Sequence, residues 1–415
     1  SVQAASQLPK AAPSFFLDLN LDQIVASICS GRQEYSLEPF LYAPLHDVDS
    51  VAYRHEVMHD LEDGPLLGAV RAFAVGMRAY REALKQSDQR YYIQQKDRWF
   101  LDAANLYCKA VTDLVGDLAP LTFRSRGFRS FAAYLKGYAE SAPFVRLKDE
   151  AGGLAEKLGK IRYGIHIRGG TVNVYPSADL PDYGAEIRAT FERFRQANPK
   201  DYSHTFSDGA EMDHVEGRVL EGVAQLHRDV FDAVAQFHAS NKDFAEPKVV
   251  NFDRQIQFEL GYIERMAALK GEGLAVCYPA VSDTDKEVLG QEAFDFALAD
   301  KLLRSGAAPI CNDFHLQGSE RIVVVSGPNQ GGKTTFARMF GQLHYLAALG
   351  YPVPGKESKL YLPDTIFTHF EREEHMADLR GKLEDDLIRI HEILKTATPS
   401  SLIIINEIFA STTLQ

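Results

Sequence analysis

Apolar residues recur every three or four positions between Met212 and Phe237: Met212, Val215, Val219, Val223, Leu226, Val230, Val234 and Phe237. This spacing predicts one amphipathic helix over 211–238, with a seam close to coiled-coil geometry. About 27 residues at 1.5 Å rise would make it about 40 Å long, the reach of a lever or of a long bundle helix. A different period precedes it. Ile161, Tyr163, Ile165 and Ile167 alternate with Arg162, Gly164, His166 and Arg168, then comes Gly169-Gly170, then Thr171 to Tyr175. Alternation about a Gly-Gly pair predicts a β-hairpin. Lys160, Arg162, His166 and Arg168 fall in one register. They form either a solvated sheet face or a contact for phosphate backbones. Upstream, Asp47 to Leu61 reads as a helix capped by Asp47. Residues 64–140, rich in Ala, Leu, Tyr, Arg and Lys, read as several helices. Residues 1–16, small, polar and Pro-containing, read as loosely ordered.

Beyond residue 275 the pattern becomes α/β. Val276 to Pro279 reads as an edge strand, 291–304 as a helix and Ile322 to Val325 as a strand. The next helix buries Phe336, Met339, Phe340, Leu343 and Ala347, and Gly350 with Pro352 ends it. Another helix spans 376–396, with Leu379, Leu383, Leu387, Ile390 and Leu394 on one face and Pro399 beyond it. Leu402 to Ile405 reads as a buried parallel strand that ends in Asn406-Glu407.

The strand at 322–325 runs into Gly327-Pro328-Asn329-Gln330-Gly331-Gly332-Lys333-Thr334-Thr335 and then a helix, the setting of a phosphate-binding loop. Gly327, Gly331 and Gly332 let the backbone turn its N–H groups toward one point. The helix N-terminus adds positive potential there. Lys333 would reach the β- and γ-phosphates of a nucleotide, Thr334 would ligate Mg²⁺, and Asn329 would face the γ-phosphate with Thr335 adding a contact. Such a loop needs a second strand whose end meets the metal and the attacking water. The run ending in Asn406-Glu407 has that form. Asn406 offers Mg²⁺ an uncharged amide oxygen, and Glu407 is the candidate general base. His369 reads as a structural residue before a phosphate sensor, and Glu384-Asp385-Asp386 as a solvated helix face.

Composition narrows the class. A chain of 415 residues, 45% hydrophobic and 25% charged, suits a soluble protein of two or three domains. Cys29, Cys108, Cys277 and Cys311 show no CxxC spacing and read as thiols of a reducing compartment. No run approaches the roughly 18 apolar residues of a membrane span, and no signal peptide is evident, so a cytoplasmic location is expected. A net charge of −12 argues against a surface broadly coated for nucleic acid and leaves room for a local basic groove. Ser1 and Gln415 read as cut ends, with part of the C-terminal domain expected beyond them.

GPNQGGKTT, YPVPG, IFTHF, ILKTAT and SLIIINEIFASTT, in that order, resemble the ATPase domain of the MutS family, DNA mismatch repair ATPases of the ABC class. The likeness spans roughly 278–415, and Cys311-Asn312-Asp313 resembles the family's approach to the P-loop strand. A weaker likeness covers PLHDVDSVAYRHEVMHDL, from Pro44 to Leu61. The resemblance implies a multidomain protein: a mainly α-helical core and first lever helices (1–157), a small β-containing clamp insertion (158–205), a returning lever helix (206–275), and an α/β P-loop ATPase domain of ABC type, incomplete at its C-terminus (276–415). It implies ATP and Mg²⁺ as ligands, DNA-backbone contact through the hairpin, and a homodimer formed through the ATPase domains. Three departures accompany it. The family's Walker B Asp is Asn406 here. Its Ser-Thr-Phe signature aligns with Gly381-Lys382-Leu383, without the hydroxyl donor. No mismatch-reading domain with a Phe-x-Glu wedge is evident, since Phe244-Ala245-Glu246 lies beyond the long helix. These departures leave two readings open, a DNA-associated ATPase clamp with slow turnover and a nucleotide-dependent conformational switch with little hydrolysis. A small-molecule P-loop kinase is disfavoured for want of a lid.

Overall fold

The computed structural model describes residues 8–169, 171–176, 190, 212–370 and 379–407. In chain order its helices are α1 (Leu21–Cys29), α2 (Glu38–Leu41), α3 (Val48–Leu61), α4 (Gly64–Gln89), α5 (Ile93–Leu118), α6 (Arg126–Ala139), α7 (Ala142–Lys160), α8 (His214–Leu226), α9 (Arg228–Ser240), α10 (Pro247–Gly271), α11 (Phe296–Leu303), α12 (Lys333–Ala348) and α13 (Leu379–Thr396). The strands are β1 (Tyr163–Arg168), β2 (Thr171–Pro176), β3 (Val276–Cys277), β4 (Ala280–Ser282), β5 (Val288–Ala293), β6 (Asn312–Leu316), β7 (Val353–Pro354), β8 (Glu357–Tyr361), β9 (Ile366–Phe370) and β10 (Leu402–Asn406). The chain divides into two units. One holds residues 1–71, 117–134 and 247–415, the other 72–116 and 135–246.

In the first unit β4, β8, β5 and β6 form one sheet, β3 pairs with β7, and β9 pairs in parallel with β10. The core gathers Phe16, Leu19, Leu21, Ile24 and Ile28 from the N-terminal segment with Phe258, Tyr262, Phe296, Met339, Leu343, Tyr345 and Tyr351. The start of the chain therefore departs from the loose order expected of it. Residues 1–7 lie outside the described residues, but Phe16 is buried and its ring meets Tyr345 edge-on. Phe16 and Leu19, with Phe15 packed beside them, supply the apolar area that docks this short segment, while Leu17 stays exposed. Local caps set the helix starts. Asp47 accepts from the Ser50 N–H at 2.7 Å, and Asp295 from the Leu298 N–H at 3.0 Å. The helix expected over 291–304 accordingly starts only at Phe296. Residues 291–293 belong to β5, where pairing with β6 and β8 overrides local propensity.

In the second unit α5 buries Leu101, Ala104, Tyr107, Cys108 and Val111. The expected hairpin forms, with β1 antiparallel to β2 and Arg168 opposite Thr171. The single long helix does not. The chain breaks at His227 (φ −118°, ψ 42°) into α8 and α9. The apolar spacing steps across this residue as three and then four, so periodicity could not reveal it. Asp213 and Glu216 close a capping box at the start of α8.

Candidate functional site

The loop from Gly327 to Gly332 leads into α12, whose first residue is Lys333. Gln330 (φ 66°) and Gly332 (φ 88°) are both left-handed, and the Gly331 N–H donates to the Pro328 carbonyl at 3.1 Å. A Cβ at Gly331 would meet that carbonyl oxygen at 2.9 Å, so only glycine fits the turn. The Lys333 ammonium donates to the Gly327 carbonyl at 2.9 Å, and to the Pro328 carbonyl and the Asn329 Oδ1 at 3.4 Å. Thr334 and Thr335 follow, half-buried in the first turn of α12. The helix is anchored at its far end by burial of Met339, Leu343 and Ala347. It stops at Gly350 (φ 72°), whose N–H donates to Ala347, while the Tyr351 N–H reaches back to Leu346.

Across from the loop, β10 ends at Asn406. The Thr334 hydroxyl donates to Asn406 Oδ1 at 3.1 Å, and Glu407 Oε1 lies 4.0 Å from Lys333 Nζ. Residues 72 positions apart thus converge on the helix N-terminus. Glu407 is left-handed (φ 59°), a backbone state that costs a non-glycine residue about 1–2 kcal/mol. The strand expected at Ile322–Val325 is absent. No strand among the described residues pairs with it, and Ile322 and Val324 are about four-fifths exposed (79% and 84%). An apolar run without a neighbour cannot satisfy its backbone as a strand. β10 is parallel as expected but buries only Ile404, with Ile403 and Ile405 exposed.

His369, on β9, is 1% exposed, and its Nε2 lies 3.7 Å from Asp386. Its Nδ1 is buried with no partner among the described residues. Burial, then the nearby Arg389 guanidinium, lowers its pKa, against the opposing pull of Asp386 and Asp18. Asp386 is therefore no solvated residue, its side chain being 17% exposed. The side chains of Glu384, Asp385 and the Gly381-Lys382-Leu383 stretch lie outside the described residues. So do residues 371–378 and 408–415, which carry the end of the resemblance. Sequence reading missed Asp18, Arg338, Gln342 and Thr368. The Thr368 hydroxyl donates to Asp18 Oδ2 at 2.6 Å, Arg338 Nε to the Asp18 carbonyl at 3.0 Å, and Gln342 Nε2 to the Leu19 carbonyl at 2.9 Å. Gln342 carried the one available signal, a polar residue within an apolar stretch; it is fully buried.

The four basic candidates of the hairpin do not share one sheet face. Lys160 ends α7 and pairs with Glu156, and Arg162 precedes β1 and donates to the Gly159 and Ile161 carbonyls at 2.8 and 2.9 Å. His166 and Arg168 do lie on one face of β1, with their partners Asn173 and Thr171. Val174, on the opposite face, packs over Gly222 of α8.

Comparison with known proteins adds a family to this geometry. Residues 323–415 match the family model MutS domain V. The chain is 34% identical over 128 residues to the endonuclease MutS2 of Gemmatimonas aurantiaca, covering 30% of this chain and 16% of that protein. It is 30% identical over 202 residues to the DNA mismatch repair protein MutS of Methanothrix thermoacetophila, covering 48% of this chain and 22% of the relative. Against Msh3 of Mus musculus it is 27% identical over 132 residues, covering 32% and 12%. The matched stretches thus span no more than 22% of these curated relatives. Together the matches show that the part of the chain that carries the loop and β10 is similar to MutS domain V and to MutS proteins.

Proposed function

We propose that the chain binds ATP with Mg²⁺ at residues 327–335 and serves as a DNA repair-type protein whose state depends on the bound nucleotide. The observation that carries this reading is the hydrogen bond of Thr334 to Asn406, which brings the first turn of α12 to the end of β10. Two neutral oxygens beside the Glu407 carboxylate form a hard donor set, which suits Mg²⁺. Thr334 and Asn406 would hold the ion, which supplies charge to offset that of the phosphates. Lys333, already surrounded by carbonyls of the loop, is placed to exchange them for phosphate oxygens. The N–H groups at the start of α12 point the same way. Glu407, the only carboxylate of the pair, would accept a proton from water. Lys333→Ala should weaken binding of a fluorescent ATP analogue at least tenfold, one charge-assisted contact being worth about 1.5–3 kcal/mol. Equal affinity in the two proteins would remove the site.

The relatives' names support a DNA partner. We propose contact with DNA backbone through the clamp-like insertion (158–205), carried by the helical core (1–157) and the returning arm (206–275), with dimerisation through the ATPase domain (276–415). His166 and Arg168 are the contacts that the hairpin face favours. Asn406 favours a second reading, a switch driven by binding with little turnover, because an amide brings no charge to the metal. Single-turnover hydrolysis separates the two. Asn406→Asp should raise the rate if charge is what limits it.

A further inference from the structure

We infer that Asp18 is a positioning residue for the Mg²⁺ site, holding together the two elements that supply its oxygens; the inference rests on the nucleotide reading above. The two elements are α12, carrying Thr334, and β10, carrying Asn406. The Asp18 main-chain carbonyl accepts from Arg338 Nε at 3.0 Å, and Arg338 lies one helical turn beyond Thr334. Its carboxylate accepts from the Thr368 hydroxyl at 2.6 Å, and Thr368 stands on β9 directly opposite Ile404 of β10, two residues before the Phe370–Asn406 pair. Arg389 of α13 approaches the same carboxylate at 3.9 Å. The next residue drives in a wedge. Leu19 is fully buried, and a Cβ at Gly341 of α12 would meet Leu19 Cδ1 at 2.7 Å and Ile404 Cδ1 at 2.8 Å. Helix, wedge and strand are therefore in direct contact, and Gln342 fixes the Leu19 carbonyl from the same helix. Asp18 touches neither nucleotide nor metal; it sets the spacing between Thr334 and Asn406.

The role separates from plain structural support by its dependence on the metal. Fluorescent ATP-analogue binding to the full chain is titrated with Mg²⁺, and repeated in EDTA, for wild type, Asp18→Ala, Asp18→Asn and Thr368→Val. Asp18→Ala and Thr368→Val should each raise the Mg²⁺ half-saturation about tenfold, the effect of one buried hydrogen bond. Affinity in EDTA should be unchanged. Asp18→Asn keeps an oxygen for Thr368 and should restore most of the wild-type value. If Asp18→Ala does not fold, the milder Thr368→Val decides. An unchanged Mg²⁺ half-saturation in folded Thr368→Val, or equal losses with and without Mg²⁺, overturns the inference. A wild-type chain that binds no nucleotide under either condition overturns the ATP reading itself.

Discussion

Glu259 shows how one side chain can set the stability of the first unit. It is buried beside Arg54, whose Nε lies 3.9 Å from Oε1, and its Oε2 has no partner among the described residues. Burial pushes its carboxyl up to about 7, against the pull of Arg54. A folded pKa above the unfolded one means that the folded state binds the extra proton, so stability falls as pH rises from the ordinary value, 4.5, to about 7. Replacing Glu259 with Gln removes that slope. Its stability relative to wild type should improve by roughly 2.5 kcal/mol between pH 5 and pH 8 in urea unfolding, from 1.36 kcal/mol per pKa unit. A constant difference across that range would show that the buried carboxyl does not titrate there. At the same scale Gly341→Ala should cost about 1–3 kcal/mol, the usual cost of overpacking, because Leu19 and Ile404 already occupy the space.

Elements were legible in the sequence where a local rule decided them. The Asp47 cap, the Gly-Gly hairpin and the stop of α12 at Gly350 each follow from residues within four positions. The convergence of the loop on the end of β10 was legible too, because the glycine loop and the polar end of an apolar run are both local signals. What escaped depended on partners distant in the chain. Residues 291–293 join β5 through pairings with β6 and β8, and Asp18 matters only because Thr368 and Arg338 reach it. Apolar spacing also passed over the break at His227, since a step of four looks alike in a straight or an interrupted helix. The capping box gives a test at this scale. Asp213→Ala should destabilise the second unit by about 1 kcal/mol, the ordinary worth of such a cap, read as a lower urea midpoint. The run Ile322–Val325 gives another. With Val324 exposed, Val324→Thr should change stability by less than about 0.5 kcal/mol, and a larger loss would mean that the segment is paired in solution.

For the whole molecule, nucleotide binding should act on the first unit, which holds the entire candidate site. At a hundredfold excess of MgATP over Kd, linkage adds about 2.7 kcal/mol, so amide exchange should slow in α12 and β10 while the β1–β2 hairpin keeps its free rates. DNA binding has its own signature. Each phosphate contacted on a duplex should add about 0.9 to the slope of log affinity against log salt, and replacing Arg168 with Ala should lower that slope by about one contact. The Asp18–Thr368 hydrogen bond has a consequence for biogenesis. Its partners are 350 positions apart, so Leu19 and Phe16 leave the ribosome long before their cavity exists. At about 5–20 residues per second they stay uncovered for roughly 20–70 s. Residues 15–19 are thus an apolar ligand for chaperones until β9 and β10 are made.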